Sequence, residues 1–436
     1  MRKIICSFLV VGVFFSTFPL FSQEVPRGKT ALSKLIEEAL SQNPQIKAAR
    51  NEWEASIEVI PQAKSLPDPV LGYSYYGQSV ETRLGPQRNK FSLSQKFPFF
   101  GKLSLKGEIA RKGASVLEEQ YMAVKLNIVL KVKKAFFSLF WLDRAIRISQ
   151  EEKEVLERLT KIAEMKYETG KANQQDVLKT QLEISKVLDK ILILDQGRKA
   201  IAAGLNALLD RLPDFYFEEV EEFEVPELRV ELEKLYGWAK EMRPEIRKAQ
   251  HFIGKNEESL KLAKKNYFPD FRLMVDYIDI GGGTTSNPKD GRNSWMASIG
   301  INIPIWRAKL HAAEAEAVIS LKASKDRFKD VENVTLSQVN ELFFEVKTAQ
   351  DQFELYKYSL LPQAEQTFKA SEIGYLTGKV DFLDLLDSER MVLLIRIGYF
   401  KTIADLGKGL AKLERVIGKD LTNKQQTYSS IGKSQN

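Results

Sequence analysis

The spacing of hydrophobic positions changes in a fixed order along this chain, and the order occurs twice. Leu32, Leu35, Ile36, Ala39 and Leu40 keep helical spacing up to Asn43-Pro44, and a second helical stretch covers about residues 45–63. The stretch around Tyr236, Ala239, Pro244 and Ala249 begins the other half in the same way, with a proline in the first helical turn, where its missing N–H is no loss. Each of these helices then ends near a proline and gives way to period two. Pro67-Asp68-Pro69 opens a strand over about residues 70–78; Phe91, Leu93, Gln95 and Phe97 alternate with Ser92, Ser94 and Lys96 up to Pro98. In the second half Phe271, Leu273, Val275 and Tyr277 follow Pro269, and Trp295, Ala297, Ile299, Ile301 and Ile303 lead to Pro304. Four strands of about nine to eleven residues have the length that crosses a bilayer at a tilt. The intervening stretches 79–89 and 281–293, rich in Gly, Asn, Ser and Thr, are expected to be surface turns.

Each strand pair is followed by a helical pattern far longer than an ordinary globular helix, about 103–167 and 310–375, each reaching roughly 95 Å if unbroken. Such lengths call for a coiled coil. Leu336, Val339, Phe343, Val346, Gln350, Phe353, Lys357 and Leu360 keep heptad spacing. So do Leu383, Leu386, Arg390, Leu393, Ile397, Phe400, Ala404, Gly407 and Ala411, and, in the first half, Val177, Thr180, Ile184, Val187, Ile191, Leu194, Arg198, Ile201, Leu205 and Leu208. In the outgoing limb of the first half the phase of Met122, Leu126, Val129 and Phe136 is lost by Ile148, Val155, Leu159 and Ile162, which predicts a stutter there.

The two long patterns stop at the same words. Tyr167-Glu168-Thr169-Gly170-Lys171 and Tyr375-Leu376-Thr377-Gly378-Lys379 lie 208 residues apart, each with a Gly where a helix ends and another begins. Both are tips of helical hairpins. The chain therefore divides into residues 24–211 and 236–418 as two copies of one unit, joined by an acidic, proline-containing connector, 212–235, and followed by a polar tail, 419–436.

Composition adds a location and removes most chemistry. Met1-Arg2-Lys3 and the apolar run after it have the layout of a secretory signal peptide over residues 1–23. The only cysteine, Cys6, lies within it, so the mature chain has no disulfide, cysteine nucleophile or thiolate metal site. The formal charge of +7 falls by two when Arg2 and Lys3 leave, and the remaining charges of both signs interleave along helices. No separate basic block speaks for nucleic acid. No apolar window past the signal is long enough for a transmembrane helix, so a membrane location must rest on strands. Gly281-Gly282-Gly283 and Gly101-Lys102-Leu103-Ser104 lack the context of a phosphate loop. His311 and Glu314 share a helix face without a third ligand, and His251 stands apart, so no metal site is expected. Neither a cofactor motif nor a catalytic triad is present, and the chain reads as a non-enzyme.

Four strands in lipid would leave unpaired backbone groups at both sheet edges. Closure against other copies removes them: three chains give twelve strands, and their helices continue the barrel as a tube. The expected fold is thus an α+β membrane protein, with four transmembrane β-strands per chain, a twelve-stranded barrel as a homotrimer, and long coiled-coil hairpins forming a periplasmic tunnel. The rival is a non-conducting periplasmic coiled-coil adaptor, which would place its strands in globular domains flanking one hairpin.

The twofold repeat, the strand ends at Phe97-Pro98-Phe99-Phe100-Gly101 and Ile303-Pro304-Ile305-Trp306, and the Tyr-x-x-Gly turn followed by Leu383-Asp384-x-Leu386-Asp387 together resemble the TolC-type outer-membrane efflux proteins over nearly the whole mature chain. The resemblance implies an exit duct in the outer membrane, serving a tripartite efflux pump or a type I secretion system. It also implies a periplasmic adaptor and an inner-membrane transporter as partners. By the same resemblance Asp384 and Asp387 form an acidic ring at the periplasmic gate, with Asp176, Tyr375 and Lys379 around it. Gly170, Lys171, Gly378 and Tyr167 make the tip turns that meet the adaptor. The family's closing Arg is replaced by Val380, with Lys379 or Lys171 as substitutes, while Tyr375 remains a candidate for a hydrogen bond at the constriction.

Overall fold

The computed structural model describes residues 31–220, 223, 225, 227–283 and 285–421. The expected signal peptide with Cys6, Glu221 and Glu222 of the connector, and nearly all of the polar tail lie outside the described residues.

Each half opens with two helices meeting at a proline: α1 (Leu32–Gln42) and α2 (Pro44–Lys64), then α5 (Leu232–Met242) and α6 (Pro244–Lys265). The corners are fastened differently. Asn43 is buried; its Oδ1 accepts from the backbone N–H of Gln45 at 2.9 Å and of Ile46 at 3.3 Å, capping α2. Its Nδ2 donates to the carbonyl of Leu208 at 2.8 Å, the last residue of α4 (Gln174–Leu208), so one side chain closes the start of one helix and the end of another. Arg243 holds the equivalent place and has no acceptor; it reaches Thr335 Oγ1 at 3.0 Å and Gln338 Oε1 at 2.9 Å instead.

The strands are β1 (Val70–Tyr75), β2 (Glu81–Thr82), β3 (Gly85–Phe97), β4 (Phe271–Ile280) and β5 (Ser294–Ile301). They form one antiparallel sheet in the order β1-β3-β4-β5, with β2 folded back onto β3. The expected turn 79–89 is therefore partly strand. Thr82 makes the tight reversal, accepting from Leu84 N–H at 3.2 Å and donating to the Gly85 carbonyl at 2.7 Å. Gly85, at φ 116°, lies so close to the Gly281 carbonyl that a side chain has no room. Turn-forming residues here serve a strand, which hid it from the pattern. β1 and β5 also stop short of the expected 78 and 303.

Register sorts the sheet into two faces. Tyr73, Phe91, Tyr277 and Trp295 are cross-strand neighbours in one row, Leu71, Leu93, Val275 and Ala297 in the next, and Phe97, Phe271 and Ile301 in another. The opposite face carries Ser92 beside Asp276, Lys90 beside Ile278, and Lys96 beside Arg272 and Gly300. Most large apolar side chains of the first face are exposed. An apolar outside with aromatic rows about 20 Å apart along the strand, backed by a polar inside, is the pattern of a barrel wall. Among the described residues no helix is long and apolar enough to cross a membrane.

Helix α3 (Lys102–Glu168) is the spine. Near the sheet it packs on α2 and α6, with Gly107 against Lys64 and Gly254 against Lys112. Farther out it packs on α4 and on α9 (Phe382–Ile417), where Gly407 admits the ring of Phe137. The expected stutter takes the form of a shifted stripe in an unbroken helix: buried Leu139, Leu142, Ala145 and Ile148 step by threes before Glu152 and Leu156 return to fours. The connector is strapped to this level, with Phe217, Val220, Phe223 and Val225 packed against Phe136, Phe137 and Phe140.

The second long run is not continuous. It comprises α7 (Arg307–Leu355), a π-helical turn (Tyr356–Leu360) and α8 (Leu361–Leu376). Pro362 has no N–H and its ring clashes with a carbonyl one turn back, and the wider turn before it relieves both problems. The heptad reading through Lys357 and Leu360 crossed this interruption without a phase change. Gly398 on α9 makes room for Tyr356, whose ring lies 2.6 Å from where a Cβ would stand.

Replacing Asn43 by Ala removes a cap and orphans the Leu208 carbonyl. We expect a loss of about 2 kcal/mol in chemical unfolding, with Asn43→Asp, which keeps the cap and loses the donor, falling between.

Candidate functional site

At the ends of α3 and α8 the shared words produce the same turn. Gly170 (φ 72°) and Gly378 (φ 75°) occupy the left-handed region. Gly170 N–H donates to Tyr167 O at 2.9 Å and Lys171 N–H to Lys166 O at 2.7 Å; Gly378 N–H donates to Tyr375 O at 3.2 Å and Lys379 N–H to Gly374 O at 2.8 Å. These are paired Schellman closures. Thr169 Oγ1 donates to Met165 O at 3.1 Å, and Thr377 Oγ1 to Ile373 O at 3.0 Å, each adding a second donor to a carbonyl that already accepts from the same threonine's N–H. Tyr167, Lys171 and Lys379 stand exposed around these turns.

Tyr375 does not match its twin Tyr167. It is buried against Phe382, with ring centroids 5.2 Å apart, and Lys166 of α3 sits 3.9 Å over its ring while donating to its carbonyl. This joins the two hairpins. The Tyr375 hydroxyl, expected to bond at the constriction, is buried without a hydrogen-bond partner among the described residues. Burial, with Asp176 and Asp381 nearby, pushes it up to about 12. Asp176 is raised too, by burial and then by Asp381. Asp381 was not singled out in the sequence; it caps α9 by accepting from Phe382 N–H at 2.7 Å. Val380, in the family's Arg position, lies against Gly374, where a Cβ would come within 2.3 Å of it, so this turn is packed by an apolar contact.

One to two turns into α9, Asp384 and Asp387 are both exposed, but their surroundings differ. Asp387 Oδ1 accepts from Arg390 Nη1 at 2.9 Å. The same Arg390 forks Glu183 of α4 through Nε, at 3.2 Å, and Nη2, and Lys186 adds a contact to Glu183 at 2.8 Å. Farther up, Arg396 of α9 pairs with Glu151 of α3 at 2.7 Å. Beside it Glu152 is buried with one carboxylate oxygen lacking a partner. Burial raises its carboxyl to about 7, while Lys190 and Arg396 pull the other way. Periodicity placed Arg390 in the seam but could not say what it held, because its partner lies on another hairpin.

The histidines are placed apart from this region. His311 Nδ1 is 3.0 Å from the Tyr267 hydroxyl, which also donates to Glu314 at 3.1 Å; His251 Nε2 is 3.9 Å from Glu119. Among the described residues no three His, Cys, Asp or Glu side chains gather as a metal site.

The family model described as "Outer membrane efflux protein" matches residues 35–211 and 235–419. The chain belongs to the outer membrane efflux protein family. The family's two matched segments fall on the two halves of the repeat. The chain is similar to the cobalt-zinc-cadmium resistance protein CzcC of Cupriavidus metallidurans, 22% identical over 424 residues and covering 93% of each. It is also similar to the outer membrane protein TolC of Salmonella enteritidis, 19% identical over 395 residues, with 87% of this chain and 79% of TolC covered. The crystal structure of the Campylobacter jejuni CmeC outer membrane channel superposes with a TM-score of 0.75 at 14% identity, covering 91% of this chain and 87% of that one. This efflux protein is accordingly an outer-membrane exit duct that reaches into the periplasm.

Glu152 gives a pH signature. Its folded form keeps a proton that the unfolded chain has released, so its contribution to stability is present below the ordinary carboxylate range and is lost as pH rises through about 7. Between about pH 5 and about pH 8 the thermal midpoint of the wild type should fall by roughly 3 °C or more relative to Glu152→Gln.

Proposed function

We propose that three copies of this chain close a twelve-stranded barrel whose helices form one periplasmic tube, the passive exit duct of a tripartite efflux pump or type I secretion system. The observation that carries this is the sheet: its outer edges, β1 and β5, pair with nothing among the described residues, while one face is apolar and the other polar. Lipid supplies no hydrogen bonds to open edges. Because the four strands alternate in direction, β5 of one copy meets β1 of the next antiparallel, which closes the ring without a parallel seam.

The tips form the periplasmic gate. Asp384 and Asp387, with Asp176, Tyr375 and Lys379 around them, give the entrance its charge, and an acidic constriction favours cations. The unpartnered Tyr375 hydroxyl is a group whose partner a neighbouring copy would supply. The exposed turns at Tyr167, Gly170, Lys171 and Gly378 are the surface offered to a periplasmic adaptor and, through it, to an inner-membrane transporter. Energy comes from the transporter, and the duct performs no catalysis.

The rival adaptor reading is disfavoured by the placement of the strands. All four lie in one sheet beyond the ends of long helices, with no separate globular β-domain among the described residues.

Purified mature protein should sediment as a trimer in detergent and give cation-preferring conductance in planar bilayers, and Asp384→Ala with Asp387→Ala should weaken that preference. A monomer without conductance overturns the channel; unchanged selectivity in the double variant overturns the acidic entrance.

A further inference from the structure

We propose that Arg390 tunes the charge of the entrance, neutralising Asp387 and Glu183 together and leaving Asp384, of the paired acids on α9, as the one that acts on passing ions. The inference rests on the duct reading above and adds a selectivity-determining residue to it.

The geometry separates two acids that the sequence pairs. Asp384 and Asp387 are three residues apart on α9, both exposed. Asp387 is committed to Arg390 at 2.9 Å, whereas Asp384 has no ion pair or side-chain hydrogen bond among the described residues. Arg390 is not free to leave. Its Nε and Nη2 form a two-pronged contact with both oxygens of Glu183, whose side chain is only 11% exposed. Releasing that carboxylate would leave a nearly buried charge with only the more exposed Lys186 as its partner. The planar fork therefore fixes the guanidinium, and Nη1, the remaining prong, points at Asp387. Burial tends to raise Glu183, but the hydrogen bonds from Arg390 and Lys186 outweigh it and lower it, so Glu183 stays ionised.

The charges then cancel. Glu183 and Asp387 contribute two negative charges, and Arg390 and Lys186 two positive ones, linked by contacts from Lys186 through Glu183 and Arg390 to Asp387. A neutral cluster of this size presents an ion in the lumen with little more than a dipole, screened over about 10 Å at ordinary salt. Asp384 keeps its full charge. The entrance of the proposed trimer thus carries three effective carboxylates from this pair of positions, with Asp387 held in reserve.

Reversal potentials of reconstituted channels under a salt gradient test the assignment. Arg390→Gln uncovers a negative charge in each copy and should raise the cation-to-anion permeability ratio by about twofold or more. Asp384→Asn leaves the fork untouched and should lower the wild-type preference. Combining the two should restore a preference near that of wild type, Asp387 standing in for Asp384. Arg390→Lys keeps the charge and should keep wild-type selectivity. Wild-type selectivity in Arg390→Gln, or an unchanged preference in Asp384→Asn, overturns the proposal while leaving the duct intact. A wild type without conductance overturns the duct itself and this inference with it. If Arg390→Gln fails to assemble, Asp384→Asn still decides.

Discussion

The backbone of a sheet in lipid has nowhere to place an unmet hydrogen bond, and this constraint reaches every part of the molecule. Among the described residues one chain brings β1, β3, β4 and β5 into one sheet, with both outer edges unpaired and one face apolar. Closure by identical copies is the remedy we propose. It fixes the rest: helices continuing from the strands must stand side by side around an axis, and hairpins of matched length bring their tips to one level. The recurrence of Thr-Gly-Lys gives both tips the same turn, as the proposed shared rim would require.

Within one chain the two hairpins are joined through α3. Its sheet-proximal half lies on α2 and α6, and its distal half on α4 and α9. Cross-hairpin contacts follow the seam downward, from Lys133 with Glu414 at 2.6 Å, through Arg396 with Glu151 and Arg390 with Glu183, to Lys166 at Tyr375. Exposed ion pairs contribute little to stability individually, so these contacts matter for where they hold the helices. The pair formed by Lys133 and Glu414 is buried, and removing one partner would cost far more than the pair contributes.

Much of this was legible because local rules and global architecture agree. Alternation gave the strand faces, Pro44 and Pro244 gave the helix starts, and Gly170 and Gly378 gave the tips. Where the reading missed, two signals occupied one position. Gly85 and Pro86 carry turn chemistry inside a strand, because a close approach to Gly281 demands a residue without a side chain. The π-helical turn before Pro362 lies inside a heptad pattern that runs on through Lys357 to Leu360, and periodicity does not register a widened turn. The site divided in the same way. Tip positions follow from repetition, whereas the fork from Arg390 to Glu183 joins residues 207 apart in sequence, and Glu152 owes its behaviour to burial by helices that only the fold assembles.

The π-helical turn at Tyr356–Leu360 gives the two long arms unequal stiffness. One is a single continuous strut of 67 residues; the other has a joint part-way along, seated on Gly398. In the proposed duct, α3 offers an unbroken helical path from the tips to the sheet. In the companion arm the path is interrupted by the widened turn. A change at the tips therefore meets one continuous helix and one with a local irregularity, so the two hairpins are not mechanically equivalent despite their repeated sequence.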